Sequence, residues 1–190
     1  MKPNTRQLLF TAFLILIATA CKLLFAPKLG WSGFSPIFAI ALFSGMMIKD
    51  KGMSFLLPLI ALFASDVLIQ LFYQLGMFPF AGFYSHQFIN YGLLLLATLI
   101  GWAVKGKNYS SLFAGAVAAP TVFFLLSNLS VWASTGAFQL YPKTMAGLMA
   151  CYVGGLPFYE RSLVATIVFV PVTIMAYNYI VKRRTALVLA

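Results

Sequence analysis

At 190 residues, with 62% hydrophobic and 8% charged side chains and a mean hydropathy of +0.95, the chain is too apolar for a soluble globular domain, in which about a quarter of residues are charged. The net charge of +10 does not point to nucleic acid, because the thirteen basic residues stand in small groups at the ends of apolar runs and not along one polar face. Divided into spans of about 20 residues with short connections, the length leaves room for six helices and a single transmembrane domain over residues 1–190.

The first apolar run is Gln7 to Ala26. Lys2 and Arg6 precede it as in a secretory signal, and Ala18-Thr19-Ala20-Cys21 has the outline of a lipoprotein cleavage box. Cleavage is not expected, because Ala18 stands where a large aliphatic residue belongs and the chain stays apolar through Leu23-Leu24-Phe25-Ala26. Cys21 and Cys151 permit one disulfide at most, and two unpaired thiols packed as small hydrophobes are the expectation.

The second run, Pro36 to Ile48, opens with Ser35 as N-cap and proline at the first helical position. It rises only about 20 Å against a hydrocarbon core of about 30 Å. Either the bilayer thins there or the Gly30-Trp31-Ser32-Gly33-Phe34 strip descends to line a cavity open to the outside; we favour the cavity. The third run, Met53 to Tyr73, contains Asp66, a carboxylate that is costly in lipid unless something polar meets it.

The fourth and fifth runs are Phe88 to Val104 and Tyr109 to Val131. Lys49-Asp50-Lys51-Gly52 and Lys105-Gly106-Lys107-Asn108 are tight polar turns, so the helices flanking each form antiparallel hairpins. In the long connection Trp132 to Glu160, Pro142 to Val153 reads as a short outer helix ended by Gly154-Gly155, too short to span and placed to act as a lid. The sixth run is Arg161 to Val181.

Pro58, Pro120 and Pro171 inside the third, fifth and sixth spans are expected to bend or loosen their helices. Small residues at four-residue spacing, Ala41 with Gly45, Ala61 with Ser65 and Ala114 with Ala118, suit close helix approach. With the N-terminus inside, nine basic residues face the cytoplasm and four (Lys22, Lys28, Lys143, Arg161) the outside. The positive-inside rule therefore predicts a cytoplasmic (inner) membrane protein with both termini cytoplasmic.

On this topology Asp66 lies roughly 20 Å from the cytoplasmic start of its helix. Lys22, Asn90 and Ser127-Asn128 share its level, and Gln70 stands one turn beyond it on the same face. The outer connections add Trp31, Phe80, Phe83, Tyr84, His86, Trp132, Phe138, Tyr141, Phe158 and Tyr159, with Lys28, Lys143, Glu160 and Arg161. An aromatic belt at the interface accounts for many of these, and a structural Asp66–Lys22 pair accounts for the charges. Read together they outline an outward-facing solute site formed by Asp66, Lys22, Asn128, Gln70, Asn90, Trp31, Trp132, Tyr141 and Lys143.

Other chemistry has less support. No nucleophile stands in a base-and-orienter arrangement, so an enzyme is not expected. Cys21, Cys151 and His86 lack metal-ligand spacing, no cofactor is implied, and no Walker-type phosphate loop is present. A substrate-binding or permease subunit is the leading expectation. A non-transporting scaffold or assembly factor that binds another membrane protein is the alternative.

Three stretches carry a family resemblance: Phe34-Ser35-Pro36-Ile37-Phe38-Ala39-Ile40-Ala41-Leu42-Phe43-Ser44-Gly45, then Leu57-Pro58-Leu59-Ile60-Ala61-Leu62-Phe63-Ala64-Ser65-Asp66, and Tyr141-Pro142-Lys143-Thr144 through Gly147-Leu148 and Cys151-Tyr152 to Leu156-Pro157-Phe158. They resemble a bacterial family of small six-span membrane proteins labelled as transport proteins. That family is in turn similar to the S components of energy-coupling-factor transporters. The resemblance implies an S-component-like all-α bundle with an outward pocket roofed by the odd-numbered connections, a small-molecule solute, and an energy-coupling membrane subunit with ATPases as partner. The chain departs from the S components in lacking their first-helix alanine pair at four-residue spacing, since Ala12 is followed by Leu16 and Ala18 by Lys22. It also has Thr166 where the family often carries an acidic residue.

Overall fold

Buried residues recur at three- and four-residue intervals along the first, third and fifth helices, so that each lays a narrow stripe inward and leaves many apolar side chains exposed on its other faces. The computed structural model describes residues 5–28, 30–31, 33–84, 87–105, 108–134 and 140–182. Among these the secondary structure is helical: α1 Thr5–Phe25, α2 Ile37–Met47, α3 Lys51–Gln74, α4 Gln87–Val104, α5 Tyr109–Ala133 and α6 Met145–Ile180. His86, Phe138 and Lys107 lie outside the described residues.

The inward stripe of α1 is Phe10, Leu14, Ala18 and Cys21, while Leu8, Leu9, Leu16 and Leu24 face outward. Phe63, Val67 and Leu71 on α3, Phe113 on α5 and Val164, Val168 and Val172 on α6 are likewise exposed. Five of the six helices are long and apolar enough to cross a membrane, and lipid is the solvent that such a surface matches. The chain has the character of a multi-pass membrane protein.

The exception is α2, eleven residues and about 16 Å long, whose residues Phe38 to Gly45 are all buried. A helix apolar on every side belongs in the middle of a bundle, and α2 packs against α3, α4, α5 and α6. Gly45 meets Gly101 of α4 backbone to backbone: a Cβ on Gly45 would strike the Thr98 carbonyl oxygen and lie 3.0 Å from the Gly101 Cα. Gly45 thus does bring two helices close, and Ala41, Ala61 and Ser65 are fully buried. Ala114 is exposed, and the inner face of α5 is instead Gly115, Ala116 and Ala119.

Two hairpin turns are capped by the residues their sequences offer. Asp50 accepts from the Met53 amide at 2.8 Å and starts α3. Asn108 and Ser111 form a reciprocal capping box at the start of α5. The expected Ser35 N-cap is not made: Pro36 occupies the cap position of α2 in helical conformation, and the buried Ser35 hydroxyl has no hydrogen-bond partner.

The separate short helix over 142–153 is also corrected. Residues 145–153 are the opening turns of α6, which continues unbroken through Gly154, Gly155, Pro157 and Pro171 for 36 residues. The two glycines are packing residues and do not stop the helix: a Cβ on Gly155 would press into the Asn128 side chain of α5, and one on Gly154 would meet the Tyr141 hydroxyl. Thr144 caps this helix by accepting from the Gly147 amide at 3.1 Å.

Candidate functional site

Because α2 is only eleven residues long, space opens between its N-terminus and the connections 26–36 and 75–84. This is a cavity of about 600 Å³ to which all six helices or their flanking residues contribute. Lys22 and Ala26 come from α1 and its end, Gly33, Ser35, Ile37 and Phe38 from the strip leading into α2, and Leu62, Asp66 and Ile69 from α3. Asn90, Tyr91 and Leu94 of α4, Phe123 of α5 and Phe158 and Ser162 of α6 complete the wall beneath residues 78–84. Of the strip before the short second helix, Gly33 lines the cavity, followed by Ser35.

Asp66 enters this wall because it follows Ser65 and precedes Ile69, both on the buried stripe of α3. Its side chain is 8% exposed and that of Lys22 is 21% exposed. Lys22 Nζ pairs with Asp66 Oδ1 and donates to Ser65 Oγ at 2.7 Å. The second carboxylate oxygen accepts from Gln87 Nε2 at 2.6 Å and from the Tyr91 hydroxyl. Both oxygens are thus satisfied by protein donors, as burial of a carboxylate demands.

The network continues into the roof. Gln70 Oε1 accepts from the amides of Gly82 at 2.9 Å and Phe83 at 3.3 Å. Gln87 accepts from the Tyr84 amide at 3.1 Å and donates to the Gly82 carbonyl at 3.2 Å. Gln70 of α3 and Gln87 of α4 therefore hold the 82–84 segment between them, and only glycine fits at 82, where a Cβ would strike the Asp66 carbonyl oxygen and the Gln70 amide. Asn90 Nδ2 donates to the Tyr84 hydroxyl at 3.0 Å. Desolvation pushes that phenol up from its ordinary value; the Asn90 hydrogen bond opposes the shift and the Asp66 charge adds to it. It stays neutral and able to donate.

The predicted site residues fall into three places. Asp66, Lys22 and Asn90 line the cavity, and Gln70 stands behind its roof. Trp31 does not line the cavity and is packed on Phe25 and Phe34, with the Arg161 guanidinium 5.4 Å from its ring centre. Asn128, Trp132, Tyr141 and Lys143 gather instead where α5 ends and α6 begins. There Asn128 donates to the Phe124 carbonyl and lies against Cys151 and Gly155, and Trp132 Nε1 donates to the Pro142 carbonyl at 3.0 Å. Lys143 Nζ caps the end of α5 by donating to the carbonyls of Trp132 and Ser134. These four are not brought to Asp66.

Gln87 and Tyr91 are the site residues that reading the sequence missed. The available signal was their four-residue spacing on one face of α4, with Asn90 alongside. Cys21 and Cys151 are buried, unpaired thiols on α1 and α6. Among the described residues no three His, Cys, Asp or Glu side chains converge as a metal site would require.

Residues 2–188 match a family of unknown function (DUF6580), and the chain belongs to that family. No curated protein and no solved structure matches it.

Proposed function

We propose that this family member is the substrate-binding or permease subunit of a transport system, capturing a small solute from the outer face of the cytoplasmic membrane with both termini in the cytoplasm. The observation that carries this reading is the 600 Å³ cavity, which lies within the range of small-molecule sites and has the buried Asp66–Lys22 pair in its wall. An S-component-like arrangement is supported by the six helices and by the roofing of the cavity by the connections after α1 and α3. The third odd-numbered connection does not line it among the described residues. Transport energy would come from a gradient or from a coupling subunit with ATPases.

Asp66→Asn keeps the shape of the side chain but leaves Lys22 without its counterion, so it is expected to abolish solute retention or uptake while membrane insertion continues. Retention is measured by native mass spectrometry of the gently extracted protein, and uptake in cells. A non-transporting scaffold is the second reading, favoured by one observation: both Asp66 oxygens already have protein donors. Lowered thermal stability of Asp66→Asn with unchanged solute retention would make the pair purely structural, whereas co-isolation of a stoichiometric partner protein with no retained solute would decide for the scaffold.

A further inference from the structure

Among the described residues, Lys22 and Asp66 are the only lysine, arginine, aspartate or glutamate side chains lining the cavity, and they neutralise each other. The carboxylate is closed to a ligand cation because its oxygens are held by Lys22, Gln87 and Tyr91. The ammonium already has its counterion in Asp66 and donates a second hydrogen bond to Ser65, so a ligand anion would have to compete with the carboxylate for its charge. Arg161 does not line the cavity and is turned onto the Trp31 ring. A charged solute would therefore lose its water on entering and find no unpaired counterion.

What the cavity does offer is ring surface and neutral hydrogen-bonding groups. Phe38 packs edge-on against Phe123 with centroids 4.9 Å apart, and Phe78 lies against Phe80 in the roof. Both pairs line the space, as Tyr84 and Tyr91 do. The Ser35 hydroxyl is a buried group of a lining residue with no partner among the described residues, and such groups are rare unless something else satisfies them. The Asn90 amide directs its NH₂ at Tyr84, so its carbonyl oxygen remains to accept.

We infer that the cavity takes an electrically neutral, flat aromatic or heteroaromatic solute, packed on phenylalanine rings and hydrogen-bonded by Ser35 and Asn90. This inference rests on the solute-capture reading. It departs from a simpler expectation, in which Asp66 would grip a cation directly. The Lys22–Asp66 pair acts by holding the cavity at zero net charge.

The test uses the full chain in lipid nanodiscs, with empty nanodiscs as control, and three probes that share one ring: indole, tryptamine and indole-3-acetate. Native mass spectrometry of protein from its own membrane identifies any retained molecule in parallel. The expected result is a neutral aromatic molecule retained, or indole bound at least about tenfold more tightly than either charged probe. Ser35→Ala should weaken that binding about three- to tenfold. Asp66→Asn, whose cavity carries an excess positive charge, should move the preference toward indole-3-acetate. A charged retained molecule, or tryptamine or indole-3-acetate preferred by the unaltered protein, would overturn the neutral-solute inference and leave solute capture standing. No retained molecule and no binding of any probe would overturn both.

Discussion

Lys22 and Asp66 differ in what their loss should do. Replacing Lys22 with Met strips the carboxylate of its countercharge and leaves it only the neutral donors of Gln87 and Tyr91. Breaking one side of a buried pair typically costs about 3–5 kcal/mol, whereas replacing both partners by apolar residues of similar volume is often close to neutral. Lys22→Met is therefore expected to lower stability by about that amount in denaturant titrations in mild detergent, and the double variant Lys22→Met, Asp66→Leu to recover most of the loss. Equal stability of the single variant and the unaltered protein would mean that Gln87 and Tyr91 suffice. Asp66 and Lys22 were recognisable from sequence because charge is conspicuous in an apolar run. Gln87 and Tyr91 were not, because a glutamine at a helix start and a tyrosine near an interface are commonplace.

The helices show the same division between pattern and packing. Their existence and most of their ends follow from the lengths of the apolar runs and from the polar turns between them, at two of which Asp50 and Asn108 cap the next helix. Which glycine matters does not. Gly45 and Gly92 are both helical, yet a Cβ on Gly45 would collide with the α4 backbone and one on Gly92 would meet nothing within 4 Å. Gly45→Ala is expected to destabilise by about 1–3 kcal/mol through overpacking, while Gly92→Ala is neutral or stabilising by up to about 1 kcal/mol through helix propensity. Thermal unfolding of the two variants side by side checks this, and equal melting temperatures would refute the close α2–α4 crossing. Gly154-Gly155 teaches the converse. It looks like a helix stop, but it lies inside α6 because the Asn128 side chain and the Tyr141 hydroxyl need the room.

For the whole molecule, the basic residues assign a sidedness that can be measured directly. In a background with Cys21 and Cys151 replaced by Ala, Met77→Cys reports the end that roofs the cavity and Lys49→Cys the opposite end; both positions are exposed. A membrane-impermeant maleimide applied to intact cells is expected to label Met77→Cys, and to label Lys49→Cys only after permeabilisation. The reverse pattern would place the cavity on the cytoplasmic face and remove the case for capture from outside.

Read alone, the sequence determined that this is an apolar helical chain with five lengths suited to crossing a bilayer, one helix too short to do so, and a carboxylate that had to be met by something polar. Those conclusions depend on composition, periodicity and length, all of which are local along the chain. Only the tertiary structure decided that Asn128, Trp132, Tyr141 and Lys143 belong to the α5–α6 junction and not to the cavity, and that Gln87 and Tyr91 complete the shell around Asp66. Side chains at one depth along different helices can face the same space or opposite sides of the bundle. Helix rotation and neighbour choice settle which, and they are set by contacts between distant segments that spacing within one segment does not encode.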